Sequence, residues 1–285
     1  MLIFLEIVAA VGLFYCIIAL GIYLFQRHLV YRPKGGYNNP KDIGLAKVEE
    51  INLDTVDGER LVAWYAPAEP GFPTLLYCHG AIGSLTTRRD RFHRITKRGY
   101  GIFAVSYRGY SGSTGRPSQA WLTLDGLMAY DYLHDKLKVA AEKIVIYGES
   151  IGTGIAIPIA SQKKTAALIL EAPYTSLIDI AQHRFKLLPI DYFLHEKYIS
   201  KKIIGRIKVP TFFMHGRKDK DIPIDFGEAL FNAANEPKEM KVFEEAAHTG
   251  LFNLGAFNYI SDFLERHMNI PKSSVVTPLK KSAAE

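Results

Sequence analysis

Ser150 stands between Gly148 and Gly152 in the stretch YGESIGTG. This G-x-S-x-G spacing can present a serine hydroxyl as a nucleophile on a tight turn. The pattern alone decides little, because ordinary glycine and serine usage produces it by chance in roughly one chain of this length in ten. A nucleophilic serine also needs an imidazole to take its proton, a carboxylate to hold that imidazole, and donors for the oxyanion. The preceding KIVIY reads as a strand and residues 151–162 as a helix, so Ser150 falls on a strand-to-helix turn. At so sharp a turn, side chains at Gly148 and Gly152 would collide with the neighbouring strand and helix. The first amides of that helix favour negative charge developing beside them.

In an α/β fold with such a turn the partners come in the chain order serine, then acid, then histidine. Histidines after Ser150 are His183, His195, His215, His248 and His267. Only His248, in EEAAHTGLF, lies on a loop between a final strand and a last helix. His215 ends a strand and precedes Gly216, which suits a backbone-ordering role. His183 and His195 lie in a region without clear periodicity, and His267 sits in a last helical turn, where a cation suits the dipole. The stretch FFMHGRKDKDIP offers Asp219 and Asp221 as acids. The strand in PTLLYCHGAIG ends in His79-Gly80-Ala81-Ile82-Gly83, whose glycines leave amides free to face an oxyanion. The N–H groups of Ala81 and Ile151 form the candidate two-donor hole, with His79 as a structural residue that fixes the loop.

The elements that must position these residues alternate. Apolar runs rich in Val, Ile, Leu and Phe at 50–53, 61–65, 74–78, 102–106, 143–147, 167–170, 211–214 and 241–243 read as strands. Helical periodicity covers 85–97, 120–137, 151–162, 226–232 and 251–268. The predicted class is α/β, with a mostly parallel central sheet, helices on both faces, and ligands bound at the carboxyl ends of the strands. Residues 174–207 break the rhythm and read as a lid-like insertion. Its Phe185, Leu187, Leu188, Tyr192, Phe193 and Leu194 suit an acyl pocket, a bilayer contact or ordinary helix packing. Its Lys197, Lys201, Lys202 and Arg206, with Lys208 just beyond, read as a solvated face. In Tyr107-Arg108-Gly109-Tyr110 a tight turn with Arg108 in an internal ion pair is expected.

With 285 residues, a net charge of +6 and only Cys16 and Cys78, the chain suits one sizeable α/β domain without a disulfide framework or structural zinc. The basic residues are not interleaved with aromatics in a nucleic-acid-reading pattern, so no nucleic-acid partner is expected. Residues 2–25 carry one charge, Glu6, and as a helix would rise about 36 Å, enough to cross a hydrocarbon core of about 30 Å with some tilt. Tyr15, Tyr23 and Phe25, followed by Arg27, Arg32 and Lys34, mark a membrane–water boundary. A cleaved signal peptide would want a positive n-region, and none precedes the run. A wholly buried core helix is the third reading. The organisation expected is a membrane anchor over 1–26, a linker over 27–47, the catalytic domain over 48–270, and a disordered tail over 271–285. With Arg27, Arg32, Lys34 and Lys41 after the run and no basic residue before it, the positive-inside rule favours a cytoplasmic domain on a single-pass anchor.

The ordered motifs HGAIG, YRGYSGSTG, GESIGTG, HGRKDKDIP and AAH make residues 48–268 resemble the α/β-hydrolase superfamily. With the N-terminal run and the YRP after it, the chain resembles the single-pass, membrane-anchored, bud-emergence-type subgroup. The resemblance implies Ser150 as nucleophile, Asp219 as acid, His248 as base, and Ala81 with Ile151 as oxyanion donors, with Gly148 and Gly152 forming the nucleophile elbow. Its spacing of His-Gly, two residues, Asp, then Pro four residues on selects Asp219, and Asp221 is left to cap the next helix. Many relatives carry Asn where Ala81 stands, but the donor there is a backbone amide. The expected activity is cleavage of an ester or thioester through an acyl-enzyme, on acyl lipids or acylated proteins, with no cofactor and no metal. A peptidase or amidase of the same fold and a non-catalytic membrane scaffold are the alternatives. The expected partners are a small-molecule or acylated substrate and membrane lipid. Oligomeric state is not legible.

Overall fold

The computed structural model describes residues 1–186 and 190–272. Its strands are β1 (Arg32–Pro33), β2 (Glu49–Asp54), β3 (Arg60–Ala66), β4 (Thr74–Cys78), β5 (Ile82–Gly83), β6 (Gly101–Val105), β7 (Ile144–Glu149), β8 (Ala167–Glu171), β9 (Thr211–Gly216) and β10 (Lys238–Phe243). Eight of them form one sheet in the order β10-β9-β8-β7-β4-β6-β3-β2, and β1 pairs only with β5. The β2–β3 and β3–β6 pairs are antiparallel and the other pairs in the sheet are parallel. This is the mostly parallel α/β architecture expected from the sequence. Each apolar run read as a strand coincides with one of the eight, with bounds moved by a few residues at most. β10 starts earliest relative to expectation because it is an edge strand whose first residues are only half-buried.

Strands buried on both faces read as continuous apolar runs because alternate residues serve two cores. On β7, Ile144 and Ile146 join one core, and Val145 and Tyr147 join the other. The first core is closed by α3 (Gln119–Asp131), α4 (Thr153–Gln162) and α7 (Ile224–Ala233), through Leu122, Ile155 and Leu230. The second is closed by α2 (Arg89–Lys97) and α8 (Ala256–His267), through Phe92, Ile95, Phe257 and Phe263. Helices therefore cover both faces. Arg108 is buried between Asp57 and Asp125, with Nη1 2.5 Å from Asp57 Oδ2 and Nε 2.7 Å from Asp125 Oδ2.

The N-terminal helix α1 (Leu2–Val30) is long and apolar enough to cross a membrane, and it extends four residues past position 26. Of its residues only Ala19 and Gln26 are buried. The insertion holds α5 (Leu177–Arg184) and α6 (Ile190–Phe193). Leu187, Leu188 and residues 273–285 lie outside the described residues.

Candidate active site

β7 ends at Glu149, a short 3-10 turn spans Ser150–Gly152, and α4 begins at Thr153. Ser150 has φ +54°, a left-handed conformation that non-glycine residues seldom adopt. The flanking glycines are required by contact. A Cβ on Gly152 would lie 2.1 Å from the Cys78 carbonyl oxygen, and one on Gly148 would lie 2.7 Å from Thr153 Cα. Both obstacles are backbone, so neither can swing aside.

Ser150 Oγ lies 3.0 Å from His248 Nε2, and His248 Nδ1 lies 2.7 Å from Asp219 Oδ2. His248 comes from the loop between β10 and α8, and Asp219 from the loop after β9. Gly216 permits their meeting, since a Cβ there would lie 2.4 Å from the Ala247 carbonyl oxygen. Burial disfavours charge on His248, but the hydrogen bond and charge of Asp219, with Asp221 and Glu149 beyond, prevail and raise its pKa. Burial likewise disfavours ionised Asp219. The hydrogen bonds from His215 and His248 outweigh it and hold the carboxyl well below the usual carboxylate range. His215 Nε2 faces the Ile222 carbonyl at 2.9 Å and Asp219 Oδ2 at 3.4 Å, which is the loop-ordering role expected of it.

Asp221 does not cap α7. The N-cap position is Pro223, with no side-chain cap, and the Asp221 carboxylate faces Arg184 at 3.4 Å in solvent. Asp219 Oδ1 instead accepts from the amides of Asp221 at 2.9 Å and Ile222 at 2.8 Å. An aspartate reaches amides two and three residues ahead of itself more readily than Asp221 reaches past a proline that lacks an N–H. Ligand atoms of Asp219, Asp221 and His248 lie within 4.8 Å of one another, close enough for a metal ion. Asp219 already spends Oδ2 on His248 and Oδ1 on two amides, so the donor set suits a hydrogen-bonded relay better than a cation.

Ala81 and Ile151 line the same cavity from two elements. Ile151 lies in the first turn after Ser150, where amides lack an intrahelical acceptor. The peptide that carries the Ala81 N–H is held by its other end, because the Gly80 carbonyl is 2.8 Å from His79 Nδ1. His79 Nε2 accepts from the Tyr107 amide at 3.3 Å, and its ring stacks on Tyr107 with centroids 3.7 Å apart. Burial, with the nearby Arg88 charge, pushes His79 down to about 3, so the ring is neutral and Nδ1 carries the proton. The Ala81 carbonyl accepts from Tyr110 Oη at 2.7 Å and from the Arg32 amide at 3.1 Å.

Sequence reasoning missed two pieces of this site. Arg88 donates to Glu149 through Nε and Nη2, each at 2.9 Å, and to the Ile82 carbonyl at 2.9 Å. It thereby ties the residue before Ser150 to the loop that carries Ala81. Burial would raise the Glu149 carboxyl, but the Arg88 and Arg91 charges hold it well below the usual range. The second piece is the end of α1. A cavity of about 560 Å³ is lined by Ser150, His248 and Ala81, and also by Ile22, Leu29 and Val30. From the insertion, Phe185, Phe193 and Leu194 line it too, whereas Tyr192 points to solvent. No periodicity marks such contacts. The one signal was Gln26, a polar residue closing an otherwise apolar run.

Comparison with protein-family models gives no match. The chain is 34% identical over 277 residues to protein bem46 of Schizosaccharomyces pombe, covering 90% of this chain and 92% of that one. It is 29% identical over 222 residues to the α/β-hydrolase domain-containing protein WAV2 of Arabidopsis thaliana, covering 70% and 72% respectively. Among solved structures, an esterase of Pyrococcus furiosus superposes with a TM-score of 0.68 at 21% identity, covering 84% of this chain and 98% of that one.

Proposed function

Because the chain belongs to the bem46-type subgroup of the α/β-hydrolase superfamily, we propose that it is a membrane-anchored serine hydrolase cleaving acyl esters or thioesters. The observation that carries this reading is the unbroken hydrogen-bonded line from Asp219 through His248 to Ser150, at 2.7 and 3.0 Å, on a strained elbow. Ser150 Oγ attacks the acyl carbon while His248 Nε2 takes its proton. Asp219 holds the Nδ1–H tautomer and stabilises the imidazolium. The amides of Ala81 and Ile151 receive the oxyanion. His248 then protonates the leaving alcohol or thiol, and the acyl group stays on Ser150. Water, losing a proton to His248, attacks the acyl carbon. The carboxylic acid departs and Ser150 regains its proton.

The length and apolarity of α1 support a single-pass anchor that delivers the domain to acyl lipids or acylated proteins. Arg27 in its last turn, with Arg32, Lys34 and Lys41 beyond it, favours a cytoplasmic domain. Protease added to intact cells should spare the domain, and its digestion there would reverse the orientation. The bond class is tested with a p-nitrophenyl ester, its thioester analogue and the matching anilide. The ester and thioester should turn over and the anilide should not. Preference for the anilide would make the protein an amidase, and inertness toward all of them would favour the scaffold alternative.

A further inference from the structure

We propose, resting on the assignment of Ser150 as nucleophile, that the pocket takes the acyl chain of a lipid ester directly from the bilayer. In this arrangement the last turns of α1 form one wall of the acyl site and the insertion forms the other. The cavity that reaches Ser150 is bounded by Ile22, Leu29 and Val30 on α1 and by Ile180, Phe185 and Phe193 on the insertion. A site of this volume holds an amphiphile of ordinary size. Leu29 and Phe185 line it while remaining 54% and 37% exposed, so apolar residues rim its mouth beside the helix that enters the membrane.

The length of α1 sets the level of this mouth. Its 29 residues rise about 44 Å, against about 30 Å of hydrocarbon. The last third of the helix therefore stands at or beyond the boundary, where Ile22 to Val30 span about 12 Å. An acyl chain leaving the bilayer there meets the apolar side chains of Ile22, Leu29 and Val30.

The α1 wall is fixed in place, which a mere tether would not need. Gln26, 4% exposed, donates from Nε2 to the Phe193 carbonyl at 3.1 Å and accepts the His195 amide on Oε1 at 2.7 Å. Glu196, 2% exposed, accepts from Arg27 Nε at 3.1 Å, Tyr31 Oη at 2.9 Å and the Gln119 amide at 2.5 Å. A buried amide and a buried carboxylate are tolerated only when so bonded. Each joins the end of α1 to the insertion and so sets the width of the slot between them.

The polar rim favours a lipid over an acylated protein. Arg88, Arg91 and Arg184 of the lining are engaged by Glu149, Glu171 and Asp221. Arg32 and Arg94 also line the cavity and have no carboxylate partner among the described residues, although Asp90 shares the rim. β1 holds Arg32 opposite Ile82, one residue from the candidate oxyanion donor Ala81. A phosphate attached near the scissile ester finds a guanidinium there. The reaction is ester hydrolysis: the acyl C–O bond breaks, the headgroup alcohol leaves with a proton, and water supplies the hydroxyl of the released fatty acid.

The full chain in detergent micelles is assayed on p-nitrophenyl butyrate and on palmitoyl lysophosphatidylglycerol, and the ratio of the two kcat/KM values is followed. Leu29→Trp, which fills the slot at a half-exposed site, should lower the lipid-to-butyrate ratio by about tenfold or more. Ile22→Trp provides a second block seven residues back along the same wall. Arg32→Gln should reduce preference for the anionic lipid over neutral monopalmitoylglycerol by about fivefold. Melting temperatures establish that each variant is folded. Butyrate turnover with an unchanged ratio in both tryptophan variants overturns this inference alone. Faster turnover of a palmitoyl-thioester peptide than of either lipid also overturns it. If the wild type turns over neither butyrate nor lipid, the hydrolase reading falls and the inference with it.

Discussion

Replacing Asp219 by Asn tests the relay through its donors. The Asp219 carboxylate faces only donors: on Oδ2, His248 Nδ1 at 2.7 Å and His215 Nε2 at 3.4 Å, and on Oδ1, the amides of Asp221 and Ile222 at 2.9 and 2.8 Å. Asn has one carbonyl oxygen and one NH2, so it can satisfy one side alone. Turning the NH2 toward the two amides leaves buried donors opposed, at about 1–3 kcal/mol for each unsatisfied group. The cheaper orientation keeps the oxygen on the amides and aims the NH2 at His248 Nδ1. That orientation forces the imidazole proton onto Nε2, where it faces Ser150 and blocks proton acceptance. The expected loss in kcat is roughly thousandfold to ten-thousandfold, or about 4–5.4 kcal/mol of barrier, with only a few degrees off Tm. Asp221→Asn removes an ion pair to Arg184 whose side chains are 62% and 54% exposed, so stability should change by about 0–1 kcal/mol. Turnover should stay within several-fold. Initial rates on p-nitrophenyl butyrate, with melting curves, separate the two. An active Asp219→Asn, or an inactive but folded Asp221→Asn, would refute the reasoning.

The remaining predictions concern protonation and the oxyanion loop. The His248 pKa is raised and its neutral form is the base, so kcat/KM should fall as pH drops through a midpoint above about 6.5. In Asp219→Asn the residual activity should show that limb shifted to lower pH, because burial then acts on His248 without the carboxylate; a pH–rate profile of each form checks both. His79→Ala frees the Gly80–Ala81 peptide and should cost kcat on the order of tenfold to a hundredfold with little change in KM, less than deletion of an oxyanion donor. An unchanged kcat would remove His79 from the positioning of that loop.

The fold was legible because a sheet buried on both faces writes itself as uninterrupted apolar runs, of which 74–78 and 167–170 are the clearest. Ser150, His248 and Asp219 could be picked out because a strand-to-helix turn, a last loop and a penultimate loop each carry chemistry-bearing residues beside glycine or proline punctuation. What stayed hidden were contacts between segments far apart in sequence. Glu196 meets Arg27 across 169 positions and Arg88 meets Glu149 across 61, and neither pair has a local periodicity to betray it. β1 and β5 are two residues each, too short for any alternation to register. The capping role expected of Asp221 is filled by no side chain, because the loop before α7 curls its own amides back onto the earlier carboxylate of Asp219. That curl is a property of the folded loop rather than of its composition.

The central claim is that Ser150 is an activated nucleophile, and covalent labelling tests it most directly. The purified full chain is treated with a fluorophosphonate probe, and the modified peptide is located by mass spectrometry, alongside Ser150→Ala. A single adduct on Ser150 is expected in the wild type. In Ser150→Ala no adduct is expected, and turnover should fall on the order of a millionfold. An adduct on another serine, or equal labelling of the folded Ser150→Ala variant, would contradict the claim.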